Sequence, residues 1–283
     1  MILFKNSNQL AQYLEGQRSK GFKTGFCPTM GALHAGHLSL IGSSKKENHI
    51  TIASIFVNPA QFNDPKDFEK YPITIERDID MLEEAGCDIL FMPSVLEIYP
   101  QGFKQSKHYE LGFLETILEG EYRPGHYQGV CMVMERLLKI VMPQNLYLGQ
   151  KDFQQCMVIT KLIGLIGLDK TIHVTICPTM READGLAMSS RNMRLNPEER
   201  KNALAIYNSL SFIKNNFHPG STEQIKNKAV TLLEENGFKV DYAAIANAES
   251  LNSISNWDGN EKAVALVAAY LNEVRLIDNM LLN

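Results

Sequence analysis

Residues 27–46 read CPTMGALHAGHLSLIGSSKK, with His34 and His37 three apart just after an apolar run. The run predicts a strand over 21–29, and the polar-apolar mix after it predicts a helix over 37–48 that begins near His37. Gly31 and Gly36 allow a tight turn and close backbone approach between them. Free N–H groups and the positive end of the helix dipole then face the strand exit, which is a ready anion site. The imidazoles add donors to it. A metal site and a pair of surface histidines are the other readings. The spacing is three, not the four of H-E-x-x-H, and no nearby carboxylate completes a ligand triad, which weighs against metal.

Strand-like and helix-like runs alternate on either side of this stretch. Strands are expected at 49–57, 87–94, 145–149 and 171–179, and helices at 73–86, 127–142 and 151–167. Alternation of this kind implies crossover units on a parallel sheet, in an α/β fold. Ligands of such sheets gather outside the carboxyl ends of the strands. After about Met180 the rhythm changes. Two helices are expected at 196–216 and 221–237, the first with Asn196 as cap and Pro197 at its first position, the second running from Ser221 to Gly237. Three strands follow, FKVDYAAIAN, AVALVAAYL and EVRLIDNMLL. This is a smaller α+β unit. The tripeptide PTM occurs twice, at 28–30 and 178–180, each time after a strand ending in Cys.

The 283 residues carry a formal net charge of −4, so no global field draws the chain to nucleic acid or to an anionic membrane. An anionic ligand must be held by a local cluster of donors. The five cysteines are odd in number and widely spaced, which argues against a disulfide framework or a zinc ribbon and for buried thiols. The first residues lack the apolar stretch of a signal peptide, and no apolar run approaches the roughly 20 residues of a membrane span. A cytoplasmic protein is expected.

Other strand exits and loops carry further candidates. In NLYLGQKDFQQC (145–156) Lys151 can meet phosphate as a point charge and Asp152 can accept from ribose hydroxyls. A capped helix start with a solvated lysine explains the same residues. ADGLAMSSRN (183–192) is rich in donors at a domain junction, where Ser189, Ser190 and Arg191 could close over polyphosphate; a polar interdomain loop is the plainer reading. FVNPAQFND (56–64) offers the Gln61 amide, both donor and acceptor. In EGEYRPGHYQGV (119–130) Arg123 and His126 flank a rigid Pro-Gly turn, and Arg123 could fork a carboxylate.

Taken in order, PTMGALHAGH, FVNPAQF, EGEYRPGHYQGV, LGQKDFQQ and PTMREADGLAMSSRN resemble the pantothenate synthetase (pantoate–β-alanine ligase) family, over essentially the whole chain. PTMGALHAGH is also similar to the H-x-G-H signature of other nucleotidyltransferases. The resemblance implies a Rossmann-like nucleotide- and pantoate-binding domain over 1–179, a smaller C-terminal lid domain over 180–283, and a homodimer. It implies ATP as a substrate, with Mg²⁺, and pantoate and β-alanine as the other substrates. By position, Met30, His34, His37, Gly149, Gln150, Lys151, Asp152, Met180, Met188, Ser189, Ser190 and Arg191 would line the ATP site. Gln61 and Gln155 would hold pantoate, with Gln61 also near β-alanine. His37 is implied as general acid, with His34, Lys151 and Arg191 in the catalytic set. Two positions depart from the family's pattern. Gln150 stands where Glu is common, and Met180 where a branched aliphatic is common. A related nucleotidyltransferase that keeps the nucleotide in its product, and a nucleotide-binding sensor, are the alternatives.

Overall fold

The computed structural model describes residues 1–103 and 107–283. Contacts divide the chain into two compact units, one made of Met1–Gln150 and Gln154–Pro178, the other of Lys151–Phe153 and Thr179–Asn283.

The first unit runs β1 (Ile2–Phe4), α1 (Ser7–Arg18), β2 (Thr24–Thr29), α2 (Ala35–Glu47), β3 (Ile50–Ile55), α3 (Pro65–Glu69), α4 (Ile75–Glu84), β4 (Ile89–Phe91), α5 (Val95–Ile98), α6 (Glu119–Tyr122), α7 (His126–Val141), β5 (Asn145–Gly149), α8 (Phe153–Leu165) and β6 (His173–Cys177). Among the described residues these strands form one sheet in the order β1-β4-β3-β2-β5-β6, parallel at every pairing. Alternate residues feed two cores. Phe26, Ile52, Phe91 and Leu146 join α1 and α7 on one face, while Cys27, Ala53, Leu90 and Tyr147 join α2 and α4 on the other. With both faces covered, β3 is buried at every position, Ser54 included, in keeping with its mostly apolar and β-branched sequence. Gly25 lets α2 lie close on β2, because a Cβ there would collide with the Ser44 hydroxyl and the Asn48 amide.

Strand order reverses at β2. From it the chain builds outward through β3 and β4 on one side and through β5 and β6 on the other. The β2–β5 ladder holds only two pairs, Gly25 with Asn145 and Phe26 with Leu146. Beyond these the strands part towards their carboxyl ends, which is where a ligand crevice forms in such sheets.

The second unit contains α9 (Pro197–Asn202), α10 (Leu204–Asn215), β7 (Gly220–Ser221), α11 (Glu223–Glu234), β8 (Phe238–Asn247), β9 (Asn256–Trp257), β10 (Ala263–Leu271) and β11 (Val274–Leu281). β11, β10 and β8 form an antiparallel sheet with β10 central, while β7 and β9 pair separately. Helices α10 and α11 share one apolar cluster with this sheet, centred on Leu210, Ile213, Leu233, Val267 and Trp257. Where one helix was expected over 196–216, two short helices meet at Ala203. The Asn196 cap holds: its side chain accepts from Glu199 N, and Glu199 bonds back to Asn196 N, both at 2.9 Å.

Candidate active site

At the exit of β2 the helix begins two residues earlier than the sequence predicts, because His34 is itself the cap. Its Nδ1 accepts from Gly36 N (3.2 Å), and His37 Nδ1 accepts from His34 N (3.3 Å). An imidazole that accepts through Nδ1 is neutral with its proton on Nε2. Both rings, 4.1 Å apart at their centroids, are thereby set as Nε2–H donors at a helix N-terminus. Together they fill the role that a Ser or Asp cap plays elsewhere.

The turn that leads into this cap is strained and held. Gly31 has φ +82° and Ala32 has φ +49°. Both are left-handed, and for an alanine that conformation is disfavoured. Asp78 of α4, 1% exposed, stabilises it by accepting from Ala32 N and Leu33 N, each at 2.8 Å, and from Thr74 Oγ1 at 2.9 Å. Sequence reasoning missed Asp78. It lies inside an acidic, amphipathic helix, where a carboxylate at one more position raises no signal.

Gln61 sits in a short turn at Pro59–Gln61 after β3. Its Oε1 accepts from Asn58 Nδ2 (3.1 Å) and its Nε2 donates to Met30 Sδ (3.2 Å), so two of the predicted site residues touch. Asn58 also donates to Gly129 O (3.1 Å) and accepts from Tyr99 OH (2.7 Å). Burial pushes the Tyr99 hydroxyl well above its ordinary range, against the pull of Arg136, so it stays a donor. Gly129 allows the approach, since a Cβ there would strike the Ala60 carbonyl. The turn at 123–126 does not present Arg123 as a lone carboxylate fork. Arg123 Nη1 lies 3.0 Å from His126 Nε2 and 3.5 Å from Glu119 Oε2, and His126 Nδ1 lies 2.8 Å from Gln61 O. A carbonyl only accepts, so His126 donates through Nδ1 and accepts from the arginine through Nε2. The pair braces the main chain at Gln61.

At the exit of β5, Gly149 faces open space where a Cβ would sit. Gln150–Asp152 form a 3-10 turn, and Lys151 Nζ lies 4.0 Å from Asp152 Oδ1. Gln154 is buried and bonded to Glu119 N, Leu114 O and Ile117 O, whereas Gln155 is half-buried and its side chain makes no hydrogen bond to the described residues. Two adjacent glutamines thus divide: the first closes the fold, and the second has its amide available. Lys151 groups with the second unit, where Asn279 Nδ2 donates to its carbonyl (2.9 Å).

In the second unit the segment after Thr179 folds back as a hairpin, with Arg181 bridged to Ala187 and Met188 N donating to Met180 O (3.0 Å). Met180 and Met188 are thus brought together. Ser189 caps the 3-10 turn Ser190–Arg194 by accepting from Arg191 N (3.3 Å). Ser190 is buried, while Ser189 and Arg191 are half-buried. All five cysteines are free and buried. Among the described residues no three His, Cys, Asp or Glu side chains cluster as a metal cage would need.

The pantoate-beta-alanine ligase family profile matches residues 2–281. The chain belongs to that family. Pantothenate synthetase of Cytophaga hutchinsonii is 44% identical over 293 residues, covering 100% of this chain and 99% of the relative. The crystal structure of pantothenate synthetase from Thermus thermophilus superposes with TM-score 0.86 at 40% identity, covering 99% of each chain. The pantoate-beta-alanine ligase of Francisella tularensis, solved with beta-gamma ATP and beta-alanine, gives TM-score 0.83 at 38% identity, covering 99% of this chain and 97% of that one. These solved family members share the α/β first unit and the smaller antiparallel second unit, so the architecture described above is that of the pantoate–β-alanine ligases.

Proposed function

We propose that the chain condenses (R)-pantoate with β-alanine to pantothenate through pantoyl adenylate, consuming ATP and releasing AMP and pyrophosphate. The observation that carries this reading is the exit of β2, where a helix N-terminus and two imidazole donors stand together. The ligands of the Francisella tularensis relative support ATP and β-alanine as its substrates.

A carboxylate is a poor acyl donor and must first be activated. One oxygen of pantoate attacks the α-phosphorus of ATP. The bond from that phosphorus to the bridging oxygen breaks, and pyrophosphate leaves with the electron pair. The amine of β-alanine then attacks the acyl carbon, AMP departs, and the nitrogen loses a proton. Catalysis is mainly positioning and charge stabilisation. In this scheme His34 and His37 donate through Nε2 to the α-phosphate and the leaving oxygen, His37 as general acid. Lys151, Ser189, Ser190 and Arg191 meet the outer phosphates. Gly149 admits the nucleotide's close approach, with Met30, Gln150, Asp152, Met180 and Met188 around it. Gln61 and Gln155 hold pantoate, and Gln61 also faces β-alanine. In this scheme the C-terminal domain over 180–283 is the lid that shields the adenylate from water.

Mg²⁺ would be carried by the triphosphate, since this ion keeps waters and takes one or two carboxylates beside phosphate oxygens. Asp152 is the carboxylate of the Lys151 turn that would share it. When bound, the ion spreads the charge of the departing pyrophosphate. A homodimer in the cytoplasm completes the proposal.

Incubation with ATP, pantoate and β-alanine tests it. Equimolar AMP and pantothenate are expected. Pyrophosphate without AMP, with the nucleotide kept in a product, would instead identify a nucleotidyltransferase. Nucleotide binding without turnover would identify a sensor.

A further inference from the structure

We infer that Asp278 and Asn279, consecutive on β11, are positioning residues that hold the two phosphate-binding segments of the second unit to one another. This rests on the reading that Lys151 and residues 188–191 bind ATP.

Neighbouring residues on a strand point to opposite faces, so burial normally alternates. On β11 it does so from Val274 to Asp278, then breaks at Asn279, so both polar residues are buried: Asp278 is 4% and Asn279 2% exposed. Each polar side chain serves a segment distant in sequence. Asp278 holds Arg181 through both nitrogens, Oδ2 to Nη1 at 2.6 Å and Oδ1 to Nη2 at 3.1 Å. The same guanidinium donates to Gly185 O (3.0 Å) and Asn279 O (3.2 Å) and lies 5.0 Å over the Tyr207 ring. It therefore ties the first arm of the hairpin that leads to Met188–Arg191 to its turn and to β11. Gly185 packs so closely on Tyr207 that a Cβ would enter the ring. Asn279 donates to the Lys151 carbonyl, while its own N–H donates to Asp278 Oδ1 (2.8 Å). Both clamps are thus tied to one peptide unit.

A buried Arg–Asp pair adds little net stability over apolar residues of the same size. What it adds is direction. An ammonium and a set of hydroxyls that must converge on one triphosphate lose rate steeply when displaced by an ångström.

The test is a double-mutant cycle between Asn279→Ala and Lys151→Ala, read as kcat/KM for ATP in ATP–pyrophosphate exchange, with the KM for pantoate alongside. Asn279→Ala alone is expected to lower kcat/KM for ATP about tenfold and to leave the pantoate KM within about twofold. In the Lys151→Ala background it is expected to add less than about twofold, because its effect passes through Lys151. Independent, multiplicative losses would overturn the inference, as would equal losses for both substrates. If Lys151→Ala lowers kcat/KM for ATP and Asn279→Ala does not, this inference alone falls. If Lys151→Ala changes nothing, the ATP assignment falls and takes this one with it. Should Asn279→Ala not fold, Arg181→Lys keeps the charge and loses the fork. It is expected to impair ATP use about tenfold with pantoate KM held, and a wild-type profile would overturn the inference.

Discussion

Pro-Thr-Met closes β2 at 28–30, with Pro28 and Thr29 still in the strand, and follows β6 at 178–180, so the two exits are built differently. Thr29 Oγ1 donates to Ser54 O (2.6 Å) and accepts from Gly31 N (3.2 Å). Thr179 Oγ1 is buried with no hydrogen-bond partner among the described residues. Thr29 is still in the β2–β3 ladder, opposite Ile55, whereas Thr179 lies two residues beyond the end of β6. Each exit then meets a buried aspartate. At the first, Asp78 is balanced by two backbone N–H groups and a hydroxyl, none of them a cation. At the second, Asp278 is balanced by Arg181, although burial still raises its pKa. Identical tripeptides therefore lead to unlike turns, and the difference lies in what supplies the counter-charge. Peptide dipoles fix a turn as part of the fold, whereas a guanidinium fixes a hairpin through one removable side chain.

The hardest blow to this contrast comes from Asp78→Ala. It leaves two buried N–H groups unpaired in a left-handed turn, so a loss of about 3–5 kcal/mol is expected from urea unfolding. A loss below about 1 kcal/mol would mean that the acid does not hold the turn.

Acid titration supplies a reference away from both exits. Glu135 on α7, 13% exposed, would be raised by its burial, but hydrogen bonds from Lys139, Tyr109 and Lys107 bring it from an ordinary 4.5 to about 2. A depressed carboxylate contributes stability above its unfolded pKa. That contribution, up to about 3 kcal/mol, is lost as pH falls from about 5 towards 2. Glu135→Gln should lower stability at pH 7 and flatten the dependence of the urea midpoint on pH over that window. An unchanged pH profile would remove Glu135 from the account.

Glycines sharpen the comparison further. Gly31→Ala is expected to cost about 2 kcal/mol through its positive φ and its contacts at 3.0 Å with Asp78 and 3.1 Å with Ile55. Gly149→Ala, facing open space at ordinary φ, should change stability by less than about 0.5 kcal/mol and raise the ATP KM instead. Thermal unfolding and steady-state kinetics separate the two.

The smallest test is the most direct. Thr29→Val should cost about 1 kcal/mol, while Thr179→Val should be neutral or slightly stabilising, because only the first hydroxyl has partners. Equal effects would erase the distinction between the exits.

Much of the fold was legible in the sequence. The alternating runs pointed to the parallel sheet, and β10 falls where its unbroken apolar run puts it, with β8 also at its expected place. β1 was not legible, since three residues with Ile2 and Leu3 largely exposed carry no period, and α1 was missed with it. The start of α2 lies two residues before its expected place because histidine is not an ordinary cap. Within the candidate site, sequence marked candidates for ligand contact but not the residues that hold them in place. Asp78, Asn58, Tyr99 and Asn279 act through hydrogen bonds between segments far apart in the chain, and no local pattern records such partners. Arg123 and His126 stood out for their chemistry, yet they bond to one another, to Glu119 and to the main chain at Gln61.

At Gly129 the backbone of α7 itself, with no side chain between, lies against the turn that carries Gln61. Widening that turn to accept a bulkier hydroxy acid is therefore not a matter of exchanging loop residues. In the proposed scheme, where Gln61 holds pantoate, any library aimed at new acids would have to shift a sixteen-residue helix rather than exchange side chains.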